Sequence, residues 1–317
     1  MFYGYNTNGL AHHSLSDAAR LLAEIGYQGI AVTLDHDLLE RRGHDFFWRT
    51  EPEVIRETIH QNGLRSVIET GARFLLNPWK KHSPTLLDPD ADARRFRQNY
   101  YFRAVELAEK LGSDCVSIWS GSRISGKTVL KAERKTEKES ESEPEKETVL
   151  FTRLASELRI LVDYAGEHGV KIALEPEPGM MIDTIAQFER LLDSAPSELC
   201  LTVDVGHLFC QYEPISESIF RHAPRLVNIH FEDSVRGVHE HLFPGDGEIP
   251  YDEFFTALRE IAYSGGVFAE LSRHSHQGVE TAMKAFSFLK KYKHPLLREV
   301  SSVSEAEESG GRLLKPY

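Results

Sequence analysis

The sequence predicts a single (β/α)8 barrel spanning residues 1–296. Three observations carry that expectation. An amphipathic helical stretch repeatedly ends in glycine and passes at once into a short β-branched run, as in Glu24-Ile25-Gly26 before Gly29-Ile30-Ala31-Val32. The same unit recurs at Gly63, Gly112, Gly169 and Gly265. Glycine suits the position after a helix because that residue often needs positive φ, and a fast return to a strand suits a parallel sheet. Eight strand-like runs alternate with eight helical ones, which is the signature of closure into a barrel. No glycine-rich phosphate loop follows the first run, which argues against the alternative, a doubly wound open sheet.

In chain order the strands are expected at 2–6, 29–34, 64–68, 115–119, 170–174, 199–203, 226–231 and 267–270. Helical periodicity separates them near 15–25, 51–62, 91–111, 149–168, 184–193, 214–222, 251–262 and 277–291. Two segments fall outside this scheme. Residues 126–148 are mostly Lys, Glu and Ser, and they hold too little apolar surface to offset their ordering entropy. They read as a charged, low-complexity insertion after the fourth strand. Residues 297–317, with Ser301-Ser302-Val303-Ser304-Glu305, read as a flexible C-terminal tail.

Composition narrows the function. At 317 residues and 41% hydrophobic content the chain can bury a large core. No apolar run approaches a membrane span, and Met1-Phe2-Tyr3-Gly4-Tyr5 lacks the basic start of a signal peptide. Cys115, Cys200 and Cys210 show no metal-knuckle or redox spacing, so buried thiols in a reducing cytoplasm are expected. A net charge of −12 argues against a nucleic-acid partner, whose phosphates call for a basic surface.

In a parallel barrel the reactive groups belong at the C-terminal ends of the strands. Four consecutive strands there end in a charged residue after an apolar run: Glu175, Asp204, His230 and Glu270. Neighbouring strands lie about 5 Å apart, so these side chains can converge on one point. Three crowded carboxylates repel, and one divalent cation resolves that repulsion. Three oxygen donors and one imidazole suit Mn2+, Mg2+ or Co2+ ahead of Zn2+ or Fe2+.

Together these residues resemble the xylose-isomerase-like TIM barrel superfamily, which includes sugar phosphate isomerases and epimerases, inosose dehydratase and the distant endonuclease IV branch. The matching motifs are Leu174-Glu175, Asp204-Val205-Gly206-His207, His230-Phe231-Glu232-Asp233 with Arg236, Gly245-Asp246-Gly247-Glu248, and Glu270-Leu271. The resemblance implies that Glu175, Asp204, His230 and Glu270 bind metal, and that His207 and Arg236 bind substrate. It also implies that Glu175 and Glu270 act as acid and base on a sugar carbon. His239 and His241 fall where the endonuclease branch keeps later ligands, so a second metal or the substrate is their expected partner. The earlier histidines of that branch have no match: the third and fourth strands end in Ile68-Glu69-Thr70 and Ile118-Trp119-Ser120.

Further contacts to a small sugar-like substrate are expected from His36, Trp119, Glu69 and His274. Arg73, Lys80, Lys81 and His82 in the loop after the third strand suit an anionic group or a solvated surface, whereas His274 and His276, beside Arg273, suit groups that support the metal's ligands or an anionic substrate. The functional expectation is a metal-dependent sugar or sugar-phosphate isomerase/epimerase, cytoplasmic and able to form homo-oligomers. The alternatives are a dehydratase or lyase on a polyol or keto acid, then an endonuclease IV-like hydrolase, and last a non-catalytic partner protein.

Overall fold

The computed structural model describes residues 1–122 and 147–292. The chain runs through β1 (Phe2–Asn6), α1 (Leu15–Ile25), β2 (Gly29–Thr33), a hairpin of β3 (Leu39–Arg42) and β4 (Asp45–Trp48), and α2 (Pro52–Gln61). It continues through β5 (Arg65–Glu69), α3 (Ala91–Leu111), β6 (Val116–Ile118), α4 (Glu147–Glu167), β7 (Ile172–Leu174), α5 (Ile185–Leu192) and β8 (Cys200–Asp204). Then come α6 (Val205–Cys210), α7 (Ile215–His222), β9 (Leu226–Phe231), and a second hairpin of β10 (Asp233–Val235) and β11 (Val238–Leu242). The last elements are α8 (Tyr251–Glu260), β12 (Gly266–Ala269) and α9 (Gly278–Leu289). β1, β2, β5, β6, β7, β8, β9 and β12 pair in parallel, and β12 returns to β1 to close the barrel.

The helix boundaries follow local chemistry. Ser14 accepts from the amide of Asp17 at the start of α1, and Gly26 ends the helix at φ 110°, where a Cβ would be strained. Gly112 ends α3 in the same way. Both hairpins and the six-residue α6 were not expected. β3 reads Leu-Glu-Arg-Arg and β11 reads Val-His-Glu-His-Leu, too short and polar to show an apolar alternation. α4 begins at Glu147, so the last two residues of the expected 126–148 insertion are helical instead. The remainder of that insertion and the 297–317 tail lie outside the described residues. No described helix is long and apolar enough to cross a membrane, and all three cysteines are free.

Strand side chains alternate between the barrel interior and the helical layer. Ile30, Val32, Ile68, Val116, Leu201, Ile229 and Val267 face outward into the main core. Phe2, Ala31, Val67, Cys115, Ala173 and Phe268 pack together inside. Phe268 is the interior plug. A Cβ on Gly4 would meet its ring at 2.2 Å, and one on Gly266 would meet it at 2.3 Å. Above this apolar layer the interior turns polar, with Ser117 and Thr202 hydroxyls 2.9 Å apart.

Gly4→Ala should therefore cost about 1–3 kcal/mol through overpacking, read as a lower urea midpoint. Adding Phe268→Leu should recover part of the loss. Gly166→Ala, in α4 with open space around it, should instead be neutral or stabilising by up to about 1 kcal/mol. Equal losses at Gly4 and Gly166 would refute the plug.

Candidate active site

The alternation that buries Phe268 carries one step further to the mouth. Two residues on, Glu270 points inward. The same count on the neighbouring strands leads from Ala173 to Glu175 and from Thr202 to Asp204. Asp204 and Phe268 are both in register with His230 across β9. One donor atom from each of Glu175, Asp204, His230 and Glu270 lies within 4.8 Å of the other three. The four residues expected to meet do meet.

His230 is the hub. Its Nδ1 lies 3.0 Å from Glu175 Oε1 and 2.9 Å from Glu270 Oε2. Its Nε2 lies 2.8 Å from Glu69 Oε1, which also accepts from Asn228 Nδ2 at 3.1 Å. Trp119 Nε1 donates to Glu175 Oε2 at 2.7 Å, and Asn8 Nδ2 donates to Glu270 Oε1 at 2.8 Å. Asp204 caps α6, accepting from the amides of Gly206 and His207 through Oδ1 at 2.7 and 3.1 Å. Its Oδ2 is buried, accepts no hydrogen bond from the described residues, and lies 4.0 Å from His207 Nε2. That orphaned oxygen, beside two more carboxylates and an imidazole, suits a hard or borderline divalent cation.

The electrostatics follow from burial and crowding. Burial opposes charge on His230, but Glu69, Glu175 and Glu270 outweigh it and hold the imidazole pKa well above its ordinary value. Burial likewise opposes charge on Glu270, yet His230, His241 and the Asn8 hydrogen bond bring it below the carboxylate range. Glu175 is lowered despite its burial, by His230 and His207. Burial raises Asp204 and Glu69.

A second cluster adjoins the first. His207, His239 and His241 each place a ring nitrogen within 4.8 Å of the others. His207 Nε2 lies 3.2 Å from His239 Nε2 and 3.4 Å from Glu177 Oε2. Burial works against charge on His207, but Asp204, Glu177 and Glu175 push its pKa up to about 9. Burial pushes Glu177 up to about 8. His241 Nδ1 is hydrogen-bonded to the fully buried Glu232, whose other oxygen has no partner among the described residues. Asp233 holds the loop beyond this cluster in place, accepting from the amides of Ser234, Gly245 and Ile249. A Cβ on Gly247 would meet Asp233 Oδ1 at 2.3 Å.

A cavity of about 310 Å3 opens above both clusters. Glu175, Glu270, His230, His207, His239, His241, Trp119 and Glu69 all line it. Glu69 lines the cavity and is also buried and hydrogen-bonded to the far nitrogen of His230, where it can orient the imidazole. Three expected contacts lie elsewhere. Arg236 is exposed on the turn of the β10–β11 hairpin, stacked 4.5 Å over Phe209, and is not among the residues lining the cavity. His36 is exposed and lines a neighbouring groove with Thr7, His13 and Asp35. His274 sits in a short 3-10 turn with its ring edge toward Phe243. Asn8, Asn228, Glu177 and Glu232 were missed. Asn228 and Glu177 lie two residues from His230 and Glu175, so the period-two count could have found them.

Comparison with known proteins agrees with this architecture. The family model for the xylose isomerase-like TIM barrel matches residues 19–292. An inosose dehydratase of Lacticaseibacillus casei is 29% identical over 157 residues, covering 43% of this chain and 53% of that relative. The chain thus matches about half the length of such curated relatives. Among solved structures, a 3-keto-D-glucoside 4-epimerase from E. coli has TM-score 0.69 at 15% identity, over 92% of this chain and 99% of the other. A D-allulose 3-epimerase from Methylomonas sp. in complex with D-allulose has TM-score 0.68 at 18% identity, over 92% and 97%. At such identities these structures speak for the fold alone. The family match over nearly the whole described barrel is decisive: this chain belongs to the xylose isomerase-like TIM barrel family.

Proposed function

We propose that this protein is a divalent-metal-dependent isomerase or epimerase of a sugar-like substrate, working by proton transfer next to a carbonyl. The convergence of Glu175, Asp204, His230 and Glu270, with Asp204 Oδ2 buried and without a hydrogen bond among the described residues, carries the reading. These four residues would hold the cation. Bound there, it would stabilise the negative oxygen that develops when a carbon beside a carbonyl loses its proton.

The remaining work belongs to the chain. Glu270 and Glu175 reach the site from different strands, so one carboxylate can take a proton and the other return it. Return to the opposite face gives an epimer, and return to the next carbon gives an aldose–ketose isomer. Asn8 and Trp119 fix the two carboxylates by holding one oxygen of each. Glu69 fixes the tautomer and tilt of His230. His207, His239 and Glu177 line the adjoining wall and suit substrate hydroxyls. A second cation on His207, His239 and His241 is the other use of that wall.

A dehydratase of a polyol or keto acid is the second reading. It is favoured by one observation, that curated relatives such as that of L. casei are named inosose dehydratase. The same carboxylates would then remove a proton and protonate a departing hydroxyl.

Three outcomes test these readings. Elemental analysis of the purified chain should find one divalent ion, lost in Asp204→Asn; two ions would put the second on the histidines. Glu69→Gln should weaken metal binding about 10–100-fold through the freed imidazole, measured by competition with a chelator. In D2O, ketohexoses such as D-allulose should gain deuterium at carbon, and Glu270→Gln should slow that exchange about 10²–10⁴-fold. Full exchange in Glu270→Gln would sink the proton-transfer role. Water loss from an inosose without exchange into ketohexoses would select the dehydratase.

A further inference from the structure

His82 stands on the wall of the active-site cavity, in the loop between β5 and α3. Its tautomer is fixed by the backbone. Nδ1 is hydrogen-bonded to the carbonyl oxygen of Gly71. A carbonyl can only accept, so the ring proton sits on Nδ1 and Nε2 carries a lone pair. Nε2 makes no hydrogen bond with the described residues, and unlike the orphaned oxygens of Asp204 and Glu232 it is not sealed from solvent. Burial, and then the nearby Lys81, Arg97 and Arg73, bring the imidazole pKa down to about 4 against the pull of the Gly71 hydrogen bond. The ring is therefore a neutral acceptor, where the residue type had suited an anionic partner.

The surroundings hold it there. His82 meets Trp119 edge to face, with ring centroids 4.9 Å apart and planes at 86°. Trp119 donates to Glu175, so one side chain separates His82 from a metal-binding candidate. The amide of His82 donates to Arg73 O at 2.7 Å, and the amide of Arg73 donates to Gly71 O at 2.7 Å. A Cβ on Gly71 would come within 3.3 Å of the indole, so the base of the loop lies close against Trp119. Ala72, Arg73 and His82 all adopt positive φ, a conformation that persists in such residues where the surrounding structure dictates it.

The chemistry of this wall discriminates between ligands. Arg73 and Lys81 line the same cavity and can only donate. A phosphate or carboxylate would suit those cations but would meet a lone pair at Nε2, which repels it. A hydroxyl can donate to Nε2, and the face of Trp119 offers apolar surface to the C–H bonds beside it. We propose that His82 is a specificity-determining residue, whose Nε2 accepts a hydrogen bond from a hydroxyl of the substrate and so selects a neutral, hydroxylated segment over an anionic one at the Trp119 wall. This assignment rests on the sugar reading given above and gives His82 no part in the proton transfer.

The test uses the full-length, metal-loaded protein and deuterium exchange into D-allulose. Asparagine tolerates positive φ and can keep a donor to Gly71 O, but it leaves no acceptor where Nε2 stands. His82→Asn should raise KM about three- to tenfold, the effect of one lost hydrogen bond, with the change falling on KM rather than kcat. Among alluloses lacking the hydroxyl at carbon 1, 4, 5 or 6, one should show the same KM in His82→Asn and wild type. A second measurement needs no variant: in the Mg2+-loaded wild type, the nitrogen-15 resonance of His82 Nε2 should move upfield on saturation with D-allulose and stay in place with inorganic phosphate. An unchanged KM in His82→Asn, an equal rise for all four deoxy sugars, or an Nε2 resonance indifferent to the sugar would overturn the assignment. For a dehydratase, the same comparison holds with scyllo-inosose and water loss. A wild type that binds neither D-allulose nor scyllo-inosose would overturn the sugar reading and this assignment together, whereas sugar binding that His82→Asn leaves intact overturns the assignment alone.

Discussion

The structure of the mouth depends on one electrostatic problem: three carboxylates, Glu69, Glu175 and Glu270, each contact the imidazole of His230 inside a closed barrel. Burial there limits screening by water, and each group is held by protein contacts. The imidazole answers this with both nitrogens, two carboxylates on Nδ1 and one on Nε2. Asp204 adds a fourth carboxylate nearby, half satisfied by the amides that begin α6. A site so rich in negative charge makes sense around a cation, and that is why the four-residue set weighs more than any one of its members.

The rest of the fold keeps these groups from relaxing apart. Trp119 and Asn8 each hold one oxygen of a catalytic candidate, so neither glutamate is free to rotate. The apolar layer below, plugged by Phe268, prevents water from entering from the bottom of the barrel. Asp233 fixes the segment that follows β9, which places His239 and His241 over His207. Structural and chemical roles are thus divided between adjacent acids. Glu232 faces the histidines, whereas Asp233 accepts from the backbone amides of Ser234, Gly245 and Ile249.

Unsatisfied buried groups collect around this mouth. Asp204 Oδ2, Glu232 Oε1 and the Nε and Nη1 atoms of Arg97 all lack a hydrogen bond among the described residues. Each such atom costs about 1–3 kcal/mol in a folded protein. They concentrate at the top of the barrel, acceptors on one side of Trp119 and donors on the other.

Much of this was legible in residue order. A strand's period of two and the parallel closure of eight strands dictate which residue of each strand faces the mouth, so Glu175, Asp204, His230 and Glu270 could be aligned from the sequence. The apolar runs before them marked the barrel wall. Other features have no such periodic signature. Arg236, His36 and His274 sit on loops, where a change of a few backbone angles redirects a side chain, and only the packed structure shows that they leave the cavity. The β10–β11 hairpin that gathers His239 and His241 is likewise set by long-range contacts to Asp233. Arg97 reads in the sequence as one more charged residue of a surface helix. Its burial against Tyr100 and Tyr101 arises from the docking of α3 against the loop that follows β5. Local periodicity therefore determined the fold and the carboxylate set. The loops and the buried cation were decided by tertiary packing, because their energies depend on neighbours far away in the chain.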